Sequence, residues 1–213
     1  RVLISNGLNG DLVVLACRTD PAAGAGGVSL IVVEADRPGF RRGGKLDNVG
    51  MPAADTAELC FDDVRVPVSN RLGEEGQGLV YLRQELAQQR LLIAINSVAT
   101  LEYQLARTLG YVKQRNAIDG SLWDFPNTRS KLADLQAQAV AARLLVDHYL
   151  GEHMRRRLTP QEAAIATLYT TELMDKAIND MVQVRGADGF MRDHPIGRAF
   201  GDLRHTRNAA GSN

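Results

Sequence analysis

Short apolar runs broken by turn residues fill the beginning of the chain, and long helical stripes fill the rest. Val13-Val14-Leu15, Val28-Ser29-Leu30-Ile31-Val32-Val33 and Ala57-Glu58-Leu59-Cys60-Phe61 are β-branched or alternating, the pattern of strands half-buried in a sheet. Asn6-Gly7, Asn9-Gly10, Ala25-Gly26-Gly27, Arg37-Pro38-Gly39 and Gly43-Gly44 separate them and read as turns. Val2, Leu3 and Ile4 are already strand-like, and Val64, Val66 and Pro67 read as the end of the last strand. Most of the connections contain no helical pattern, so a barrel or small antiparallel sheet is expected rather than βαβ units.

After Gly76-Gln77-Gly78 the period changes. Leu91, Ile95, Val98, Leu101, Leu105 and Leu109 recur every three or four residues, as do Leu132, Leu135, Ala139, Ala142, Val146 and Tyr149. A third stripe runs from Ala163 through Ala166, Thr170, Leu173, Ala177 and Met181 to Val184, with Thr159 as N-cap and Pro160 at the first helical position. A shorter fourth helix is predicted from Ile196 to about Arg207. Four such stripes in succession must bury their apolar faces against one another, which predicts an up-and-down four-helix bundle. The fold class is therefore α+β. A partial small β-barrel or antiparallel-sheet domain over residues 1–70 precedes a bundle over 71–213, and Arg65–Gly78 links them.

The 213 residues carry 25 basic and 25 acidic side chains, with 45% of positions hydrophobic. That balance is too apolar for intrinsic disorder and lacks the basic excess of a nucleic-acid binder. No apolar run reaches the roughly 18–20 residues of a membrane span. Two cysteines, Cys17 and Cys60, suit a reducing, cytoplasmic compartment rather than a disulfide framework. A chain that opens on Arg1 and closes on Asn213 reads as a piece of a longer protein, with room for a targeting segment outside it.

Individual residues leave alternatives open. Gly186-Ala187-Asp188-Gly189 is either a helix C-cap with a turn or backbone brought close to a phosphate or flavin. Arg115 is either a solvated helix-end charge or a cation aimed at a pyrophosphate. Gln89 lies on the stripe of Leu82, Leu86 and Ile93, and spacing favours an amide at the stripe's edge with its head in water. Trp123 is expected to pack a loop against the bundle, and Arg155-Arg156-Arg157 to form an exposed helix end. The histidines have no spacing suited to zinc.

Taken in order, these features resemble the acyl-CoA dehydrogenase family of flavoproteins. Ile4-Ser5-Asn6-Gly7 is similar to the family's I-T-N-G strand. Phe61-Asp62-Asp63-Val64-Arg65-Val66-Pro67, then Leu72-Gly73-Glu74-Glu75-Gly76-Gln77-Gly78, resembles its crossing from sheet to helices. Tyr111 through Arg115 and Phe125 through Asp134 are similar to Y-x-x-x-R and F-Q-x-x-x-x-x-L-A-D. Gln183-Val184-Arg185-Gly186-Ala187-Asp188-Gly189-Phe190 resembles Q-x-x-G-G-x-G-Y, and the stretches from Arg198 and from Arg207 resemble R-x-x-R-D-x-R and R-I-x-x-G-T.

The resemblance implies an FAD-dependent oxidoreductase of fatty acid and lipid metabolism. In that chemistry a glutamate removes the α-proton of an acyl-CoA thioester while the β-hydride passes to the flavin. It also implies an electron-accepting flavoprotein partner and a tetramer. By the same resemblance Ser5 hydrogen-bonds near the flavin N5 and Leu3 covers the ring. Arg115 reaches the pyrophosphate of a neighbouring subunit's FAD, beside Ile118 and Pro126. Gln183, Gly186 and Ala187 receive the adenosine end, and Ser212 stands at the flavin. Ala87, Gln88, Gln89 and Arg90 line the acyl-CoA pocket.

The departures fall on the chemistry. The family's base stands either before the C-terminal G-T, here Ala210, or before the arginine of the first bundle helix, here Gln89. Neither side chain accepts a proton as a carboxylate does. Glu85, one turn before Gln89, is the nearest alternative. Ile118-Asp119 replaces Phe-Gly, and Pro126 replaces a glutamine donor. Four readings follow: a dehydrogenase with its base elsewhere, a base-less partner subunit of a hetero-oligomer, a related flavin oxidase or monooxygenase, and a helical interaction module without flavin.

Overall fold

The computed structural model describes residues 3–118 and 120–211. The chain divides into two compact units, Arg1–Glu85 and Leu86–Asn213.

The first unit holds β1 (Ile4–Ser5), β2 (Leu12–Arg18), β3 (Val28–Glu34), β4 (Phe40–Lys45), β5 (Thr56–Phe61) and β6 (Arg71–Leu72). They form two three-stranded antiparallel sheets, ordered β1-β5-β4 and β2-β3-β6, and no closed barrel among the described residues. Val14 faces Val32, and Ile4 faces Ala57. Along β5, Ala57 and Leu59 are buried while Glu58 and Cys60 are exposed, the alternation of a sheet with one covered face.

Two sequence expectations need correction here. Gly43-Gly44 is not a turn but part of β4, where the register against β5 shifts between Arg42 and Lys45. Such bulges accommodate glycine within a strand. Val64, Val66 and Pro67 end no strand. Pro67 has no N–H for a ladder and instead precedes a 3-10 turn over Val68–Asn70. Asn70 donates to the Val32 carbonyl at 2.9 Å. The hydrogen bonds from Arg37 and then Asn70 bring the Glu34 carboxyl down to about 2.

The division between units falls inside the first helix, α1 (Gly78–Gln114). Contacts within the first unit explain this. Gln77 bridges Val28, the Gly76 N–H donates to Ser29 Oγ at 2.9 Å, and the Glu74 N–H donates to the Tyr81 hydroxyl at 3.0 Å. The helix start is thereby stitched to β3 and its flanking loop.

The second unit comprises the rest of α1, then α2 (Pro126–Met154), α3 (Pro160–Arg185), the single turn α4 (Ala187–Phe190) and α5 (Pro195–Asp202). The predicted stripes meet in one core. Val98, Leu101 and Leu105 of α1 pack with Leu135 and Val146 of α2, Met174, Ile178 and Met181 of α3, and Ile196 of α5. Trp123 packs against this core from a 3-10 turn, with the Lys113 ammonium 5.4 Å from its ring centroid. At the start of α3 the Glu162 N–H donates to Thr159 Oγ1 and the Thr159 N–H donates back to the Glu162 carboxylate, a reciprocal capping box.

The fourth helix is shorter than predicted. Helical geometry ends at Asp202 and a 3-10 segment, Leu203–Arg207, follows. Thr206 Oγ1 donates to the Leu203 carbonyl at 2.7 Å, and His205 Nδ1 lies 2.6 Å from the Asp202 carbonyl. Side chains that engage nearby carbonyls in this way compete with a regular helix. Among the described residues no helix is long and apolar enough to cross a membrane.

Candidate active-site residues

One end of the helical unit gathers several of the residues singled out from sequence. Helix α1 stops at Gln114, and Arg115 follows it with its N–H bonded to the Tyr111 carbonyl at 2.8 Å. One turn back, the Tyr111 hydroxyl lies 3.3 Å from Asp188 Oδ2 and 3.4 Å from the Arg185 carbonyl. Burial first, and then the Asp188 charge, pushes the phenol above its usual range. This bridge brings the end of α1, and so Arg115, to the same end of the unit as Gln183, Gly186 and Ala187.

The local sequence explains the shape of that end. Gly186 closes α3 with φ +59° and ψ −134°, a conformation glycine adopts without steric cost. Its N–H donates to the Gln183 carbonyl at 3.1 Å. Ala187 then enters α4 with ordinary helical geometry, so the usual second glycine is dispensable here. Gly189 is a different case. A Cβ there would lie 2.5 Å from the Val182 carbonyl oxygen, so close packing against α3 requires glycine. Gln183 and Ala187 are exposed, and among the described residues neither the Gln183 amide nor the Arg115 guanidinium has a hydrogen-bond partner.

Beyond Arg115, β7 (Asn116–Ala117) pairs with β8 (Gly120–Ser121). The Leu122 N–H returns to the Arg115 carbonyl at 2.9 Å. Asp124 accepts from the Ser121 N–H and hydroxyl, and these bonds hold its carboxyl below the usual range. Ile118 is almost fully exposed at 98%. Pro126 is the first residue of α2, where its fixed φ suits a helix start. It has a structural role and offers no hydrogen-bond donor.

The residue after one of the positions where the resemblance puts a base bonds to the backbone of the other. The Arg90 Nε–H donates to the Ala210 carbonyl at 3.3 Å, across 120 residues of sequence. Thr167 Oγ1 donates to the Arg90 carbonyl at 2.8 Å, fixing α1 against α3 at this level. Arg207 holds the returning segment, with Nε 2.8 Å from Glu172 Oε1 and Nη1 3.1 Å from Asp175 Oδ2. Gln89 and Gln88 are exposed, Ala87 and Arg90 half-buried. The amide therefore stands at the stripe's edge. Glu85 is exposed and falls in the first unit. Ser212 lies outside the described residues.

In the first unit, Ser5 ends β1 opposite Thr56 with its side chain exposed, and Leu3 is 69% exposed with φ +60°. The turn that follows is tied down from two sides. Asp55 accepts from the Leu8 and Asn9 N–H groups at 2.7 and 2.8 Å, and Arg42 Nε donates to the Gly7 carbonyl at 3.1 Å.

Sequence reasoning missed the residues that do this positioning. Tyr111 stood within a quoted motif without a role, and Arg185 stood beside Gly186 unremarked. Thr167 and Asp55 have no local signal, since their partners are remote in sequence. Arg207 was legible only as part of a motif.

Comparison with known proteins places these features. The family model described as "Acyl-CoA dehydrogenase, C-terminal domain" matches residues 76–213. The chain is 41% identical over 206 residues to the mitochondrial long-chain specific acyl-CoA dehydrogenase of Sus scrofa, covering 96% of this chain and 48% of that protein. Superposed on the crystal structure of an acyl-CoA dehydrogenase from Geobacillus kaustophilus, it gives a TM-score of 0.97 at 39% identity, over 100% of this chain and 56% of the other. Butyryl-CoA dehydrogenase from Megasphaera elsdenii gives 0.94 at 31%, over 100% and 56%. The chain thus spans about half the length of the curated relatives it matches. With the motif residues in the places described above, the chain belongs to the acyl-CoA dehydrogenase family.

Proposed function

We propose that this chain forms part of an FAD-dependent acyl-CoA dehydrogenase-like oxidoreductase. The observation that carries the reading is the assembly at one end of the helical unit. A guanidinium at Arg115 and an amide at Gln183, neither with a hydrogen-bond partner among the described residues, and an open glycine backbone at Gly186 are brought to one end through Tyr111. That set fits a dinucleotide. The cation offsets pyrophosphate charge, the amide pairs with the adenosine end, and nothing lies within 4 Å of where a Gly186 Cβ would project. In the first unit, Ser5 and Leu3 are both exposed, and the resemblance assigns them to the flavin ring.

When bound, FAD supplies the acceptor for the β-hydride of an acyl thioester. The chain's own residues bind and orient. Ala87, Gln88, Gln89 and Arg90 face the acyl-CoA. Arg90 fixes the backbone at Ala210. An electron-accepting flavoprotein and a tetrameric assembly complete the proposal.

A second reading has its own support. Arg90, the neighbour of Gln89, donates to the Ala210 carbonyl, and neither Gln89 nor Ala210, where the resemblance puts a base, carries a carboxylate. A subunit that contributes structure and part of a cofactor site to a hetero-oligomer would have this composition. Two measurements separate the readings: the flavin absorbance of the purified protein, and acyl-CoA-dependent dye reduction with and without Gln89→Glu. A general base contributes about 10²–10⁴-fold in rate. A gain of that size with Gln89→Glu supports the base-less subunit. Full activity before substitution and no gain after it supports a working enzyme with its base elsewhere. A colourless protein that FAD cannot reconstitute refutes the working enzyme.

A further inference from the structure

A cleft of about 400 Å³ opens between α1 and α5. Thr100, Tyr103, Gln104 and Arg107 line it from α1, and Arg198 and Asp202 from α5. None of the residues assigned above to FAD or acyl-CoA is among them.

Gln104 is only 6% exposed, yet its amide has no hydrogen-bond partner among the described residues. Its amide atoms are not sealed off either, because the only enclosed and unpartnered side-chain atom among the described residues is Arg185 Nε. A buried amide left unpaired is costly. Here it lines the cleft and faces whatever enters.

Charge gives a second, independent sign. Arg107, Arg185 and Arg198 all bear on His194, which burial and these cations hold below its ordinary value. None of the three makes an ion pair among the described residues. Arg107 donates to the Tyr103 hydroxyl at 3.0 Å, and so is steered rather than neutralised. Arg185 is 7% exposed, its guanidinium 4.7 Å from the Tyr111 ring centroid and its Nη2 3.3 Å from Thr108 Oγ1. The opposing carboxylates are Asp188, which acts on both Arg185 and His194, and Asp202, which already has an interaction of its own. Three guanidiniums face two carboxylates, so the cluster has one positive charge to spare.

We propose that this cleft binds a phosphoryl group, held between Arg107 and Arg198 with the Gln104 amide donating to it. Guanidinium forks match phosphate oxygens in number and plane. The amide adds a donor that needs no counter-charge, and the volume admits more than the phosphoryl group alone. Free orthophosphate and the phosphate monoester of a sugar share this chemistry.

Calorimetric titration of the chain with inorganic phosphate, and separately with ribose 5-phosphate, in chloride buffer of fixed ionic strength tests the site. Saturable one-to-one binding is expected. Loss of a charge-assisted hydrogen bond weakens binding about tenfold or more, so Arg107→Gln and Arg198→Gln should each do so. Gln104→Glu places a negative charge at the donor and should abolish binding while keeping side-chain shape. Arg157→Gln, remote in sequence and just beyond the end of α2, should change nothing. Tighter binding of ribose 5-phosphate identifies an ester as the ligand, and equal affinity identifies free phosphate. Absence of saturable binding, survival of binding in Arg198→Gln, or equal weakening by Arg157→Gln overturns the proposal.

Discussion

Arg207 anchors the segment that carries Ala210, and its removal is the most informative single perturbation of this region. Its guanidinium meets Glu172 through Nε at 2.8 Å and through Nη2, and meets Asp175 through Nη1 at 3.1 Å, with the arginine side chain 27% exposed. A pair of unit charges about 4 Å apart at an effective dielectric of 20 attracts by about 4 kcal/mol. Partial solvation and roughly 2 kcal/mol of arginine rotamer entropy offset much of this. Removing the cation also leaves two carboxylates three residues apart on α3, where like charges repel. The net loss expected for Arg207→Met, which keeps most of the aliphatic stem, is about 2 kcal/mol.

Urea unfolding followed by Trp123 fluorescence reads the helical unit directly, since Trp123 is the only tryptophan and packs against that unit's core. With a slope of about 2 kcal/mol/M, the midpoint should fall by about 1 M. Glu172→Gln added to Arg207→Met should recover part of the loss by removing the repulsion. Amide exchange at Asn208 and Ala209, both bonded to the His205 carbonyl, should quicken. A loss below about 0.5 kcal/mol is the range of a solvated surface pair. That result would refute the anchoring role.

Three further outcomes follow from the same geometry. His194 is held below its ordinary value by burial and by Arg185, Arg107 and Arg198, and its Nδ1 accepts from the Ile196 N–H. As pH falls below about 6.5 the unfolded chain takes up its proton first. Stability should therefore drop from there towards the folded value, and thermal melts of His194→Asn should be flatter across that window. Gly189→Ala drives a Cβ against backbone and should cost about 1–3 kcal/mol. Gly186→Ala meets nothing within 4 Å among the described residues, so its cost is the strain of φ +59° with ψ −134°, about 1–3 kcal/mol; thermal melts measure both. Tyr111→Phe removes two long hydrogen bonds and should cost about 0.5–1 kcal/mol, with faster amide exchange over residues 185–188 as its local signature.

Much of the helical architecture was legible because burial follows a period. Val98, Leu101 and Leu105, or Leu135 and Val146, declare a face by spacing alone, and the structure buries them together. Thr159 and Pro160 marked the start of α3 through local capping chemistry. What was illegible depended on partners remote in sequence or on backbone geometry. β4 contains two glycines and three basic residues, and becomes a strand only because β5 supplies the ladder. The fourth helix fails at Asp202 through side-chain bonds to carbonyls that no apolar pattern encodes. At the candidate site the motifs located Arg115 and Gly186, but the bridge that unites them is a Tyr111 hydroxyl reaching 77 residues ahead to Asp188.

The same division of labour explains how this chain keeps its fold without a carboxylate at either position where the family resemblance puts a base. The groups that fix the region are backbone carbonyls and the side chains of Arg90, Thr167 and Arg207. The Gln89 side chain is exposed, and at Ala210 the carbonyl rather than the methyl makes the contact. Exposed positions away from such contacts change stability by about 0.5 kcal/mol or less. Glutamate at residue 89 is therefore nearly neutral for folding, and folding alone gives no reason for its absence. Selection on stability would retain Arg90 and Thr167 while leaving residue 89 free to change. Gln89→Glu should leave the urea midpoint unchanged whatever it does to turnover, and a large shift in that midpoint would show that the amide has a structural partner after all.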